Sequence, residues 1–220
     1  DSWRAINRLE AFADAPAGDP LELLDDTLFT LSAFSGLAME SMTRGLGWRF
    51  MDMGRRLERG MNQASLIRAG LPEVCGESRS ILEALLEIFD SIMTYRARYR
   101  TTFQVSPVLD LLLVDDSNPK SLAFQLNQLC HHVRELPQQD DPHGVQGEAH
   151  AAQEMVLAVR QMDFARLRCN SDGDATASLA AFLESIETGL KAFAQQISAH
   201  YLSRVPATPH VSMLPGHRRP

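Results

Sequence analysis

Arginine and carboxylate side chains recur at helical spacing in the stretch GWRFMDMGRRLERGMNQASLIRA, Gly47 to Ala69. At about 100° per residue, Trp48, Asp52, Arg55, Arg59 and Asn62 form one row. Glu58 flanks that row on one edge, and Arg49 and Arg56 flank it on the other. Asp52 can reach Arg49 at i−3, Arg55 at i+3 and Arg56 at i+4, while Arg55 can reach Glu58 at i+3. Two chemistries fit this set. Forked guanidinium groups can grip an anion, a phosphate or a peptide carboxylate, by paired hydrogen bonds. The same groups can instead form an interhelical polar network that fixes register and is costly to break from one side. A tryptophan in the charged row implies protein cover, which favours the network. Against both stands the ordinary solvated face, where each exposed pair contributes about 0.3–0.5 kcal/mol. Gly54 and Gly60 interrupt the helix and leave room for a backbone or a ligand to approach. Arg96 and Arg100 complete the set if they face the same cleft; otherwise they only complement a helix C-terminus.

Other chemistries find no support. The chain has no GxSxG, P-loop, GxGxxG or HExxH motif, and no paired Glu-x-x-His element for a di-iron bundle. His131 and His132 are adjacent, so a helix cannot turn both toward one site, and His143 and His150 bracket a loop. Cys75, Cys130 and Cys169 lie far apart without a CxxC, which argues against a disulfide framework and for a reducing, cytoplasmic setting. No catalytic residue, metal or cofactor is expected. Asp115-Asp116-Ser117-Asn118-Pro119 reads as the start of a helix rather than a cation site. A net charge of −7 disfavours nucleic acid as a partner, and charges break every apolar run before membrane-spanning length. Of the 21 basic residues only Lys120 and Lys191 are lysines, so nearly all positive charge is carried by groups suited to bidentate contacts.

The elements that must position the row are all helical. Ser2 to Ala13 carries Trp3, Ile6, Leu9 and Phe12 at helical spacing, and Asp14 to Gly18 ends it. Asp19 is the expected N-cap of a second helix, with Pro20 at its first position. Leu24, Leu28, Leu31, Ala38 and Met42 form one apolar face there, and Phe29, Ala33 and Leu37 begin another. Such a helix belongs at the centre of a bundle. Gly70-Leu71-Pro72 is expected to stop the charged helix. The next helix runs from Glu77 or Ser78 to Arg100, through Ile81, Leu85, Ile88, Phe89 and Ile92. Val105 to Val114 is a short apolar helix or buried turn, and Lys120 to Leu136 a further helix. After a loop over Pro137 to Gly147 come helices at Glu148 to Arg168 and about Ala175 to Ser203. No segment alternates as a strand does. The fold class is all-α, an antiparallel helical bundle of six to eight helices over residues 1–204, with 205–220 a disordered tail.

Three blocks carry a family resemblance: Gly47-Trp48-Arg49-Phe50 with Met53-Gly54-Arg55 and Leu57-Glu58-Arg59, the Tyr/Arg-rich Tyr95 to Arg100, and DLLLVDDSNPKSLAFQLNQL. Together they resemble the bacterial alpha-E domain family, an all-helical family named for its Glu-Arg pair. Its members are often fused to, or encoded beside, circularly permuted ATP-grasp proteins, with transglutaminase-like proteins nearby. The resemblance therefore implies a non-catalytic accessory domain of an ATP-grasp amide- or peptide-ligase system, docking to the ligase or holding its anionic peptide substrate. The alternatives are an enzyme in its own right, with Glu58 as acid–base and Arg55 and Arg59 binding an anion, and an anion-binding module. Family members usually begin with an earlier helix carrying its own Gly-Arg-x-x-Glu-Arg-like element. That element is expected to be missing here, as in a fragment opening at Asp1-Ser2-Trp3-Arg4.

Overall fold

The computed structural model describes residues 7, 10–11, 19–75, 78–100, 102–137, 144–162 and 173–202. The expected helix at Ser2 to Ala13 (but for residues 7 and 10–11) and the tail at 205–220 lie outside them. Among the described residues the fold is all-α, as the periodicity predicts. The chain clusters into two units, Asp1–Phe50 and Met51–Pro220.

In the first unit, α1 (Pro20–Ser41) starts as its sequence dictates: the Asp19 carboxylate accepts from the Leu21 N–H at 2.9 Å, and proline fills the first turn. Its buried residues are Thr27 and Ala38, while Leu21, Leu28, Phe29 and Leu37 are exposed.

That next helix, α2 (Leu46–Cys75), runs through Pro72 rather than stopping at Gly70. Proline this close to a helix end removes one N–H without preventing the last turn, which buried Leu71 anchors. The expected single helix from Ser78 to Arg100 is two, α3 (Arg79–Ile88) and α4 (Ile92–Tyr99). Asp90 sits at φ 46°, and the Ser91 hydroxyl donates to the Phe89 carbonyl at 2.9 Å. This local side-chain bonding competes with continuation of the helix. The break moves the buried face to Leu82, Leu85 and Leu86 and leaves Ile88 exposed. Arg100, at φ 50°, ends α4.

A short helix, α5 (Val105–Leu109), passes into a π-helical turn, π1 (Asp110–Val114), whose Leu111, Leu112 and Leu113 are fully buried. Asn118 is buried against it and donates to the Leu111 carbonyl at 3.1 Å and to Ser91 at 3.2 Å, so the Asp-rich turn locks the α3–α4 break. Ser121 caps α6 (Leu122–Arg134), accepting from the Phe124 N–H at 3.0 Å. α7 (Gly144–Gln161) packs along α6, and α8 (Gly173–Ile197) packs on α7 and ends in a second π-helical turn, π2 (Ser198–Leu202). Leu126, Leu129 and Val133 of α6, Val156 and Val159 of α7, and Leu183, Ile186, Leu190 and Phe193 of α8 form the core of this unit.

Candidate functional site

Within the second unit, α2 buries the stripe Met53, Leu57, Gly60, Ala64, Ile67 and Leu71. Asp52 lies beside Met53 and is drawn in with it, to 1% exposure. On α6 the buried stripe passes through Gln125 and His132, seven residues and thus two turns apart. The two helices meet through these polar positions. His132 Nε2 is 2.8 Å from Asp52 Oδ2, with the ring nitrogen donating, since an ionised carboxylate can only accept. Arg56 donates from Nε to Asp52 at 3.2 Å and from a terminal nitrogen to the Gln125 side-chain oxygen at 3.1 Å. Its guanidinium also lies 5.3 Å from the Phe124 ring centroid. Asp52 to Arg56 on one helix matching His132 back to Gln125 on the other makes the pair antiparallel.

Electrostatics follow from this set. Burial pushes the Asp52 carboxyl up, but the His132 hydrogen bond and the Arg56 and Arg55 charges outweigh it and bring the pKa down to about 2. Arg55 approaches Asp52 Oδ1 at 3.5 Å and is a quarter exposed. Arg59, one turn on, is exposed and makes no ion pair with another described residue. Partial burial and the Arg55 and Arg56 charges lower its pKa.

The row read from the sequence thus divides. Asp52 and Arg55 come together, with Arg56, previously at the row's edge. Glu58, Arg59 and Asn62 are exposed and lie outside the buried cluster. Trp48 and Arg49 are half-buried in the first unit, where the Arg44 guanidinium sits 4.4 Å from the Trp48 ring centroid. Arg96 reaches Glu83 at 3.5 Å and Arg100 is exposed at the end of α4, so neither joins the cluster's contacts. Their neighbours tie α4 down instead: Arg98 pairs with Asp115, and Tyr99 donates to Asp110 at 3.0 Å. Gly60 does serve close approach, since a Cβ there would meet Leu190 at 3.1 Å, whereas one at Gly54 would meet nothing within 4 Å.

His132 and Gln125 are the residues sequence reading missed. Their signal was spacing alone, each falling on the stripe of Leu122, Leu126, Leu129 and Val133. A second such pair went unread as well. Glu148 of α7, buried, accepts from His200 Nδ1 of π2 at 3.1 Å, and the His200 and Tyr201 rings lie 4.6 Å apart. Burial, then the Glu148 charge, raises the Tyr201 pKa. α2 makes two further polar ties: Gln63 donates to the Leu112 carbonyl of π1 at 2.6 Å, and Arg68 to Glu187 of α8 at 3.0 Å.

Among the described residues no three His, Cys, Asp or Glu side chains are grouped to hold a metal ion, and no helix is long and apolar enough to cross a membrane. Burial raises the pKa of the Cys130 thiol, the opposite of what a nucleophile needs.

One family, described as "a predicted alpha-helical domain with a conserved ER motif", matches residues 1–202. An uncharacterized protein of Mycobacterium bovis is 30% identical over 215 residues, as are uncharacterized proteins from the CDC 1551 and H37Rv strains of Mycobacterium tuberculosis. Each alignment covers 92% of this chain and 24% of the relative, so the chain spans about a quarter of the length of the curated relatives it matches. No solved structure matches it.

Proposed function

We propose that this chain, which belongs to the Alpha-E family, is a non-catalytic helical domain that works beside a circularly permuted ATP-grasp ligase in amide- or peptide-bond formation. The observation behind this reading is the position of the adjacent pair Glu58–Arg59. Both are exposed on α2, and neither makes an ion pair with another described residue. An exposed pair of this kind contributes little to stability, so its value lies in what it presents to a partner. Asp52, by contrast, carries the tie between α2 and α6. The division leaves Glu58 without the buried, base-like setting that a catalytic acid–base needs. The span of the chain, a quarter of its relatives, suits a domain that acts with others. In this reading the Arg59 side of α2 meets the ligase or the acidic end of its peptide substrate, and the work is done in the cytoplasm, where ATP is supplied. A transglutaminase-like protein is a further partner of the same system.

The test is reconstitution of the chain with the ATP-grasp ligase, followed by ATP-dependent product formation. Glu58→Gln and Arg59→Ala should keep the helical circular dichroism and unfolding midpoint while lowering turnover at least tenfold. Unchanged turnover in both variants overturns the proposal.

A further inference from the structure

Phe103 lies in the segment that joins α4 to α5, and the backbone on either side of it is held by one residue. Tyr95, fully buried on α4, donates to the Thr102 carbonyl at 3.1 Å and accepts from the Gln104 N–H at 3.2 Å. Its ring lies 5.3 Å from that of Phe103. Two guanidinium groups from different helices meet this clamped, half-buried ring. Arg79, the first residue of α3, sits 5.9 Å from its centroid, and Arg96 of α4 sits 6.0 Å from it. The two guanidinium carbons are thus no further apart than twice that distance. A guanidinium over an aromatic ring uses its face there and keeps its N–H edge for acceptors. Acceptors are short at this place. Glu83 reaches Arg96 at 3.5 Å, whereas Arg79 is exposed and makes no ion pair with another described residue. Glu87 and Arg100 follow Glu83 and Arg96 by one helical turn, and their charges cancel. One positive charge is left over, which a single carboxylate would neutralise. A phosphomonoester, at about −1.5 to −2, would instead add negative charge beside Glu83. Met93, three residues before Arg96 and so on the same side of α4, is 73% exposed and offers an adaptable apolar contact to the body of a ligand.

We propose that Arg79 and Arg96, carried on the Phe103 ring, form a binding site for a peptide carboxylate, at a chain end or on an acidic side chain. Phe103 is a positioning residue here, holding the two guanidinium groups toward one ligand. The site shares no residue with the Glu58–Arg59 surface and needs no ligase.

The test is a heteronuclear NMR titration of the full chain at constant ionic strength, following the backbone amides of Arg79, Arg96 and Phe103. The probes are acetyl-trialanine, the same peptide amidated at its C-terminus, amidated acetyl-Ala-Glu-Ala and inorganic phosphate. At least one of the two carboxylate peptides should shift these amides saturably, and the tighter of them identifies the source of the group. Amidated trialanine should bind at least tenfold more weakly than that peptide, and phosphate more weakly than it as well. Arg79→Ala should weaken carboxylate binding by about tenfold or more, as loss of a charge-assisted fork does. Arg79→Lys should recover part of it, because a point charge replaces the fork. Phe103→Leu should weaken binding while the helical circular dichroism is kept, and Arg134→Ala, an exposed arginine of α6, should change nothing. Absence of saturable shifts, equal binding of amidated trialanine, tighter binding of phosphate, or an Arg79→Ala variant that binds as well as the parent overturns the assignment. These outcomes are read without the ligase, so failure here and failure of the ligase reading are separate results.

Discussion

Asp52 with His132 and Glu148 with His200 are both carboxylate–imidazole pairs joining two elements of the second unit, yet they are built differently: both members of the first are buried, whereas in the second only Glu148 is. Asp52 takes hydrogen bonds from His132 and Arg56 and a longer contact from Arg55. Glu148 accepts from His200 on one oxygen, and its other oxygen is buried with no donor among the described residues. Oδ1 of Asp52 and Oε2 of Glu148 are alike in lacking a hydrogen-bond donor among the described residues, so the difference is one of charge: two guanidinium groups lie against Asp52, and His200 alone against Glu148. A buried carboxylate stabilises a fold only when its desolvation is offset by partners. The Asp52 pair is therefore expected to hold the fold, and the Glu148 pair to contribute little to it.

The widest separation should come from deleting each carboxylate. Asp52→Ala leaves Arg56 and His132 facing an empty buried position and should lower stability by about 3–5 kcal/mol in urea unfolding. Equal stability of this variant and the parent would erase the distinction. Acid titration sharpens it next. The Asp52 pKa lies near 2 in the folded chain against an ordinary 3.8. Its contribution, about 2 kcal/mol, is thus fully present above the unfolded value and lost as pH falls through the folded one. Asp52→Asn should flatten the parent's loss of stability between about pH 4 and pH 2. Glu148→Gln should move the unfolding free energy by only about 1 kcal/mol in either direction, because no guanidinium pairs with this carboxylate among the described residues and the amide oxygen can still accept from His200. A loss as large as that of Asp52→Ala would mean that donors outside the described residues complete the second site. The smallest effect probes the room beside the first pair. Gly54→Ala meets no atom within 4 Å, so the helix propensity gain should raise the thermal midpoint by the equivalent of about 0.5–1 kcal/mol.

How much of this was legible depends on distance along the chain. The Asp52–Arg55 and Asp52–Arg56 contacts are separated by three and four residues, and helical geometry alone places them within reach. The Asp19 cap and the all-helical class follow from local chemistry in the same way. His132 is 80 residues from Asp52, and no local rule joins them. Read alone, its adjacency to His131 counted against a shared site. Only the packing of α6 on α2 turned one histidine inward and the other out. The α3–α4 break was hidden for a related reason. Asp90 and Ser91 suit a helix surface well enough, and their role emerges once Asn118 arrives from the following turn to hold Ser91.

By itself the sequence determined which segments are helices, where most of them begin, and that α2 pairs its own carboxylate with its own arginines, because those matters are settled within a few turns of one helix. The tertiary structure decided which of those charges are buried. It turned Asp52 inward to His132 and left Glu58 and Arg59 on the surface. Burial is fixed by what packs against a helix face, and the partners of α2 come from segments 49 to 119 residues away.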